Sequence, residues 1–267
     1  MSKETVPWVQ AQKNTFENWI NQSLKDTEFQ IKDIKFDLTD GKALYALYRQ
    51  LTGKKIKSID HKPVMKINCL LNLNLVIDHF KKDKVKIVNV QGEDVYDKNL
   101  KLILGFIWML ILKYQILGDN EDEEAKAAKS LLLDFVNSMI SGRKARNFTK
   151  DWKDGEILGK LVDAVEPGSF PEKMRPEDSD KLVSKSLDVA EEKLNIPKVI
   201  QPEYILNATD EHSLMTYISY FKQYTLNKRN EPYGPMCTAS GKGLGDNVNA
   251  DSPHPFEVVL RNRYGES

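Results

Sequence analysis

Cysteine is nearly missing from this chain: Cys69 and Cys237 are the only two in 267 residues. Thiols so far apart make no disulfide framework, so the sequence predicts a protein of a reducing, cytoplasmic compartment held together by packing. The start, Met1-Ser2-Lys3-Glu4-Thr5, has none of the apolar stretch of a secretion signal. Nor is any run long enough to cross a bilayer. Leu100 to Leu112, interrupted by Lys101, falls short of the roughly 20 apolar residues required, and it reads as a helix buried in a core.

Chemistry-bearing motifs are missing as well. His61, His79, His212 and His254 are scattered, and none belongs to a His-Glu-x-x-His pattern. Neither cysteine has a metal-ligand neighbour at short spacing. Gly241, Gly243 and Gly245 precede no helix, so they cradle no phosphate. Asp119 to Glu124 is acidic but lacks the alternating ligands and central glycine of a calcium loop. No catalytic residue, metal or cofactor is therefore expected, and a binding module is favoured over an enzyme.

The charge is balanced overall, 39 basic against 39 acidic side chains, but unevenly placed. Residues 1–118 carry 19 Lys and Arg against 13 Asp and Glu, a net of +6, and residues 119–227 carry 15 against 21, a net of −6. The last forty residues balance at 5 against 5. Such a division predicts an acidic partner for the leading half and attraction between the halves.

The chain also repeats itself. Trp19-Ile20-Asn21 is echoed by Phe135-Val136-Asn137, Asp40-Gly41-Lys42-Ala43-Leu44 by Asp154-Gly155-Glu156-Ile157-Leu158, and Gly92-Glu93-Asp94-Val95 by Pro202-Glu203-Tyr204-Ile205, at offsets of 116, 114 and 110. Three anchors in one order imply a duplicated module. Inside each module the pattern is helical. Phe16, Trp19, Ile20 and Leu24 share one face, as do Leu131, Phe135, Met139 and Ile140. Asp40-Gly41 and Asp154-Gly155 each lead into an apolar-periodic helix, with Gly53 and Gly168 expected to stop it. About four main helices per module are predicted, and the fold class is all-α.

Gly118-Asp119-Asn120-Glu121-Asp122-Glu123-Glu124 repels itself and is the expected hinge. The expected divisions are 8–117 for the first module, 118–126 for the linker, 127–227 for the second module and 228–267 for the tail. In that tail, glycines and prolines punctuate two candidate strands, Thr238 to Leu244 and Phe256 to Leu260.

These residues resemble the calponin-homology family. Asp37-Leu38-Thr39-Asp40-Gly41, Leu51-Thr52-Gly53-Lys54-Lys55-Ile56 and Asp97 to Trp108 are similar to its type-1 modules. Asp151-Trp152-Lys153-Asp154-Gly155, Leu161 to Gly168 and Asp210-Glu211-His212-Ser213-Leu214-Met215-Thr216-Tyr217 are similar to type 2. The likeness covers about residues 8–225. The linker and the tail Cys237 to Leu244 resemble the filamin (gelation-factor) group, whose next element is a truncated immunoglobulin-like β repeat here. Pro255-Phe256-Glu257-Val258 is similar to a strand of such a repeat. The α-actinin and spectrin-like tandem proteins or a phosphoinositide-linked scaffold are the alternatives, and a module that serves microtubules or signalling scaffolds, as single calponin-homology domains can, is a further one.

The resemblance implies an actin-filament binding region, cortical and cytoskeletal, with no nucleic-acid partner. It implies a monomeric fragment of a protein that dimerises through a missing carboxy-terminal region. It places contact segments at about Trp8 to Leu24, Asn99 to Tyr114 and Lys129 to Ile140. Within them, Trp8, Gln10, Lys13 and Asn14 are candidate filament contacts, the last three lying off the apolar stripe of the first helix. Lys101, Leu104 and Trp108 share i, i+3, i+7 spacing. That side is expected to be covered by the second module at rest and bared on opening, with Trp108 latched to Lys126 or Lys129 through a cation–π contact. Arg143, Lys144, Arg146 and Lys150 form a basic cluster that is either a phosphoinositide site or a solvated loop.

Overall fold

The computed structural model describes residues 7–118, 125–169, 178–207, 210–231, 236–241, 256–262 and 266. Two compact units divide the chain, residues 1–220 and 221–267. The first unit holds the leading module and the second module as far as Tyr220. In the leading module, α1 (Pro7–Ser23), α3 (Lys42–Thr52), α4 (Lys66–Lys82) and α6 (Leu100–Ile111) are the long helices, with short α2 (Ile34–Asp37) and α5 (Gly92–Tyr96) between them. In the second, α7 (Ala125–Met139), α8 (Glu156–Val165), α9 (Ser179–Leu194) and α11 (Glu211–Asn230) are long, and α10 (Pro202–Leu206) is short. Four main helices per module match the all-α expectation.

The apolar stripe of α1 turns inward as its spacing requires: Phe16, Trp19, Ile20 and the following Leu24 are all buried. α1 packs on α6 and α3, α3 on α4, and α8 on α7 and α9. Helix α6 is the central rod of the leading module. Ile103, Phe106, Ile107, Leu110 and Ile111 are buried along it, which explains a sequence apolar nearly all round. The helix does not end at Ile111 but continues as a wider π-helical turn, Leu112–Leu117. By length and composition Leu100–Leu117 is apolar enough to span a membrane, yet half of it is buried within the protein.

The duplicated Asp-Gly pair does the same work twice. Gly41 and Gly155 stand at the N-caps of α3 and α8 with φ of 77° and 74°. In both, the preceding aspartate accepts the backbone N–H two residues on, from Lys42 at 2.9 Å and from Glu156 at 3.0 Å. A side chain at Gly41 would meet Cβ of Asn72 on α4 at 2.7 Å, and one at Gly155 would meet Cγ2 of Val183 on α9 at 2.8 Å. The buried Asn72 amide binds this corner from within. It donates to the carbonyls of Asp40 (3.1 Å) and Asp60 (2.8 Å) and accepts from Asp60 N–H (2.9 Å). Gly53 caps α3 as expected, with φ of 68°. Gly168 does not cap α8: Glu166 takes that position, and Gly168 turns the chain two residues later with φ of 82°.

The second unit holds a two-stranded antiparallel sheet, β1 (Thr238–Gly241) with β2 (Phe256–Val259), Thr238 facing Val259 and Gly241 facing Phe256. Both expected strands are present, the second ending one residue early at Val259, and residues 242–255, with the expected end of the first, lie outside the described residues. So does the expected hinge beyond Gly118.

Gly41→Ala is expected to destabilise the leading module by about 2–4 kcal/mol, from left-handed strain plus a clash with α4. Gly53→Ala, with open space around it, is expected to cost about 1 kcal/mol. Urea unfolding of the two variants measures the difference.

Candidate functional site

The expected site segments meet at a seam between the two modules, and Trp108 lies in it. Its indole, 8% exposed, is parallel to two rings. One is Phe16 of α1, with centroids 6.3 Å apart and planes 4° from parallel. The other is His212 of α11, at 4.0 Å and 17°.

Local sequence sets the second module's half of this contact. Asp210 caps α11, its Oδ2 accepting from both the N–H and the hydroxyl of Ser213 at 2.8 Å. That cap fixes His212 in the first turn. Pro202 opens α10 at its first helical position, which places Tyr204 one turn in. From the first module, α1 presents a row of amides. Gln12 Nε2 lies 2.8 Å from Nδ1 of His212. Asn14 donates to the Tyr204 hydroxyl at 2.6 Å, and Asn18 donates to the Val199 carbonyl at 3.1 Å. Gln10 donates to Asn14 Oδ1 at 2.6 Å, which holds that amide in position.

The anticipated latch therefore changes chemistry. Trp108 is covered by the second module, but the group stacked on it is the His212 imidazole. The Lys129 ammonium sits 2.6 Å from Glu211, the neighbour of His212, where it ties the start of α7 to the start of α11. A close carboxylate holds an ammonium more strongly than an aromatic face does. The Lys126 side chain lies outside the described residues. In the sequence His212 is one of four scattered histidines and part of the Asp210-Glu211-His212-Ser213 motif. Nothing in that pattern says which way its ring turns.

The other candidates are dispersed. Trp8 is 49% exposed at the start of α1. Lys13 is drawn inward to Glu17 (2.8 Å) and Asp33 (3.5 Å), so its charge is spent inside its own module. Lys101 is exposed while Leu104 is buried, so the i, i+3, i+7 row does not share one covered side. In the basic cluster, Arg143 pairs with both Asp154 and Glu156. Lys144 donates to the Asn137 and Ile140 carbonyls at 2.5 and 2.9 Å, closing the end of α7. Arg146 and Lys150 are exposed. No group of three or more His, Cys, Asp or Glu side chains is placed to hold a metal among the described residues.

Comparison with known proteins gives this geometry a context. Residues 10–116 and 126–227 each match the calponin homology (CH) domain. The chain is 35% identical over 268 residues to filamin-A of Drosophila melanogaster, covering 92% of this chain and 12% of that protein. It is 30% identical over 244 residues to the spectrin beta chain of the same organism, covering 88% of this chain and 10% of that one. The chain thus spans about a tenth of the length of these relatives. The crystallised actin-crosslinking core of Schizosaccharomyces pombe fimbrin has the same fold, with a TM-score of 0.65 at 19% identity, over 82% of this chain and 49% of that one.

Burial is the largest influence on His212 and holds its imidazole below the ordinary 6.5. Lys129 adds to the depression, while Asp210 and Glu211 oppose it. A neutral ring also suits the Gln12 contact, since an unprotonated Nδ1 accepts the amide N–H. A depressed base stabilises the closed seam fully above its ordinary value, and that contribution is lost as pH falls below about 6.5 through the seam value. Asp210 works in the other direction, because burial raises its carboxyl above 3.8. In an Asp210→Asn background, which keeps a capping side chain, acidification from about pH 7.5 to about pH 5 is expected to separate the modules. Small-angle scattering would show a larger radius of gyration, and His212→Gln would abolish the response.

Proposed function

The chain belongs to the calponin homology domain family, and on that premise we propose that its two modules form the actin-filament binding unit of a filamin-like crosslinking protein of the cortical cytoskeleton. The observation that carries this reading is the tandem itself: two modules in succession, matched over 10–116 and 126–227. The relatives that share the pair include a filamin and a spectrin, and an actin-crosslinking core has the same fold. All are binding and structural proteins, which supports a binding module and not an enzyme here. The modules are taken to span 8–117 and 127–227, with 118–126 as the linker between them and 228–267 as the tail.

Electrostatics supports the leading module as the one that approaches the filament. Its +6 balance meets an acidic polymer favourably, which speeds encounter and makes binding fall as salt rises. The second module then acts as a brake. Closed, the seam occupies Gln12, Asn14 and Trp108, which belong to the two first-module segments assigned to the filament. Opening bares them. A contact of stacked rings and neutral amides is suited to this, since no buried charge is left unpaired when it separates. A phosphoinositide partner at the basic cluster rests on Arg146 and Lys150 alone, because Arg143 and Lys144 have internal partners.

Cosedimentation tests both parts. The chain is expected to pellet with actin filaments at low ionic strength and not with microtubules. Complete retention in the supernatant would overturn the binding reading. His212→Ala, which loosens the seam without touching the leading module, is expected to tighten filament binding about five- to tenfold. Unchanged affinity with an intact fold would remove the brake and leave the binding.

A further inference from the structure

Away from the seam, the leading module has a hollow of about 420 Å³ beside α3. Three stretches of chain converge on it: Glu28 and Phe29 after α1, the row Lys42, Tyr45 and Arg49 on α3, and His61 before α4. The α3 residues recur at i, i+3 and i+7, so helical spacing sets them along one face, with the small Ala46 beside Tyr45. None of these residues takes part in the seam or in the Arg143 cluster.

The lining is aromatic and of mixed charge. Phe29, Tyr45 and His61 bring three rings to one space, the last two with centroids 6.2 Å apart and planes at 59°. The Arg49 guanidinium lies 5.9 Å from the centre of the Tyr45 ring. Lys42 is paired with Asp40 at 3.1 Å. Arg49 and Glu28, by contrast, form no ion pair with any described residue, although both border the same hollow. Coulomb attraction favours closing such a pair. Held apart, the two leave one cation and one acceptor open to whatever lies between them.

An apolar strip begins at the same rim. Three residues of chain span at most about 11 Å, so Val64 lies close to His61. Val64 is 90% exposed, and Met65, Ile67 and Leu71 are each more than half exposed. Ile67 and Leu71 are one turn apart on α4. Neighbouring apolar side chains left in water mark a contact surface more often than isolated ones do.

We propose that the hollow and its strip dock a short segment of a partner protein, one that carries an aromatic side chain between acidic residues. The partner's ring enters among Phe29, Tyr45 and His61, where ring contacts add to burial, and Ala46 leaves space for it. A flanking carboxylate takes Arg49, whose planar fork suits that group. Glu28 accepts a hydroxyl or backbone N–H of the segment, and apolar residues at its end rest on Val64 and Met65. The +6 balance of the leading half favours an acidic segment over a basic one. An aromatic anchor in a pocket next to an arginine is the arrangement that carries most of the energy in protein interfaces.

The test titrates the full, 15N-labelled chain by NMR with acetylated, amidated pentapeptides and no actin present. Leu-Asp-Tyr-Glu-Leu is expected to give saturable shifts around Phe29, Tyr45 and His61, with a dissociation constant near or below about 1 mM. Leu-Asp-Ala-Glu-Leu and Leu-Lys-Tyr-Lys-Leu should bind at least about fivefold more weakly. Arg49→Gln should weaken the first peptide about fivefold or more, since it removes one charged hydrogen bond from an exposed position. Ala46→Gln, which puts a long side chain into the hollow, should do the same. Leu226→Ser, at an exposed leucine of the second module, should change binding less than about twofold. Circular dichroism verifies that each variant folds. Equal binding of the three peptides, shifts that map elsewhere, or an Arg49→Gln variant indistinguishable from Leu226→Ser overturns the proposal.

Discussion

Trp108 has to be covered. It sits on the central helix of the leading module, and leaving so large a ring in water forgoes about 1.5–3 kcal/mol of burial. Its own module supplies one parallel ring, Phe16, and the second module supplies another, His212. The seam is organised around that need. Amides of α1 line up beside the stack, and the start of α11 is capped and braced so that one imidazole arrives at the right place.

The two modules reach this point by the same internal means. A left-handed glycine starts the second long helix of each and lets the long helix after it approach within a distance no side chain would allow. In the leading module the facing residue is Asn72, which uses the corner to satisfy two carbonyls; in the second it is Val183, which simply packs. Duplication preserved the backbone geometry and let the chemistry around it diverge. The charge diverged with it, to +6 in the leading half and −6 in the following one.

The seam differs from the charge-held brake that a +6 and a −6 half suggest. Its polar contacts at α1 are neutral amides, and the conspicuous cations nearby, Lys13 and Lys129, are neutralised within their own modules. Long-range attraction still favours bringing the halves together, but it does not dictate which atoms touch. A neutral, stacked contact leaves no buried charge unpaired when it separates, as the proposed brake requires.

Much was legible in the residues alone. Helical periodicity at Phe16, Trp19 and Ile20, the repeated Asp-Gly corners and the echo of three anchors determined an all-α tandem, because local spacing and capping obey short-range rules. Even Trp108 could be singled out, by its i, i+3, i+7 spacing with Lys101 and Leu104 on a helix that the family resemblance assigns to the filament. What covers it was decided by the tertiary structure. His212 lies over a hundred residues away, and only the packing of α11 against α1 and α6 turns its ring onto the indole while Glu211 draws Lys129 aside. Sequence sets which surfaces must be buried, whereas their partners depend on distances that exist only after folding.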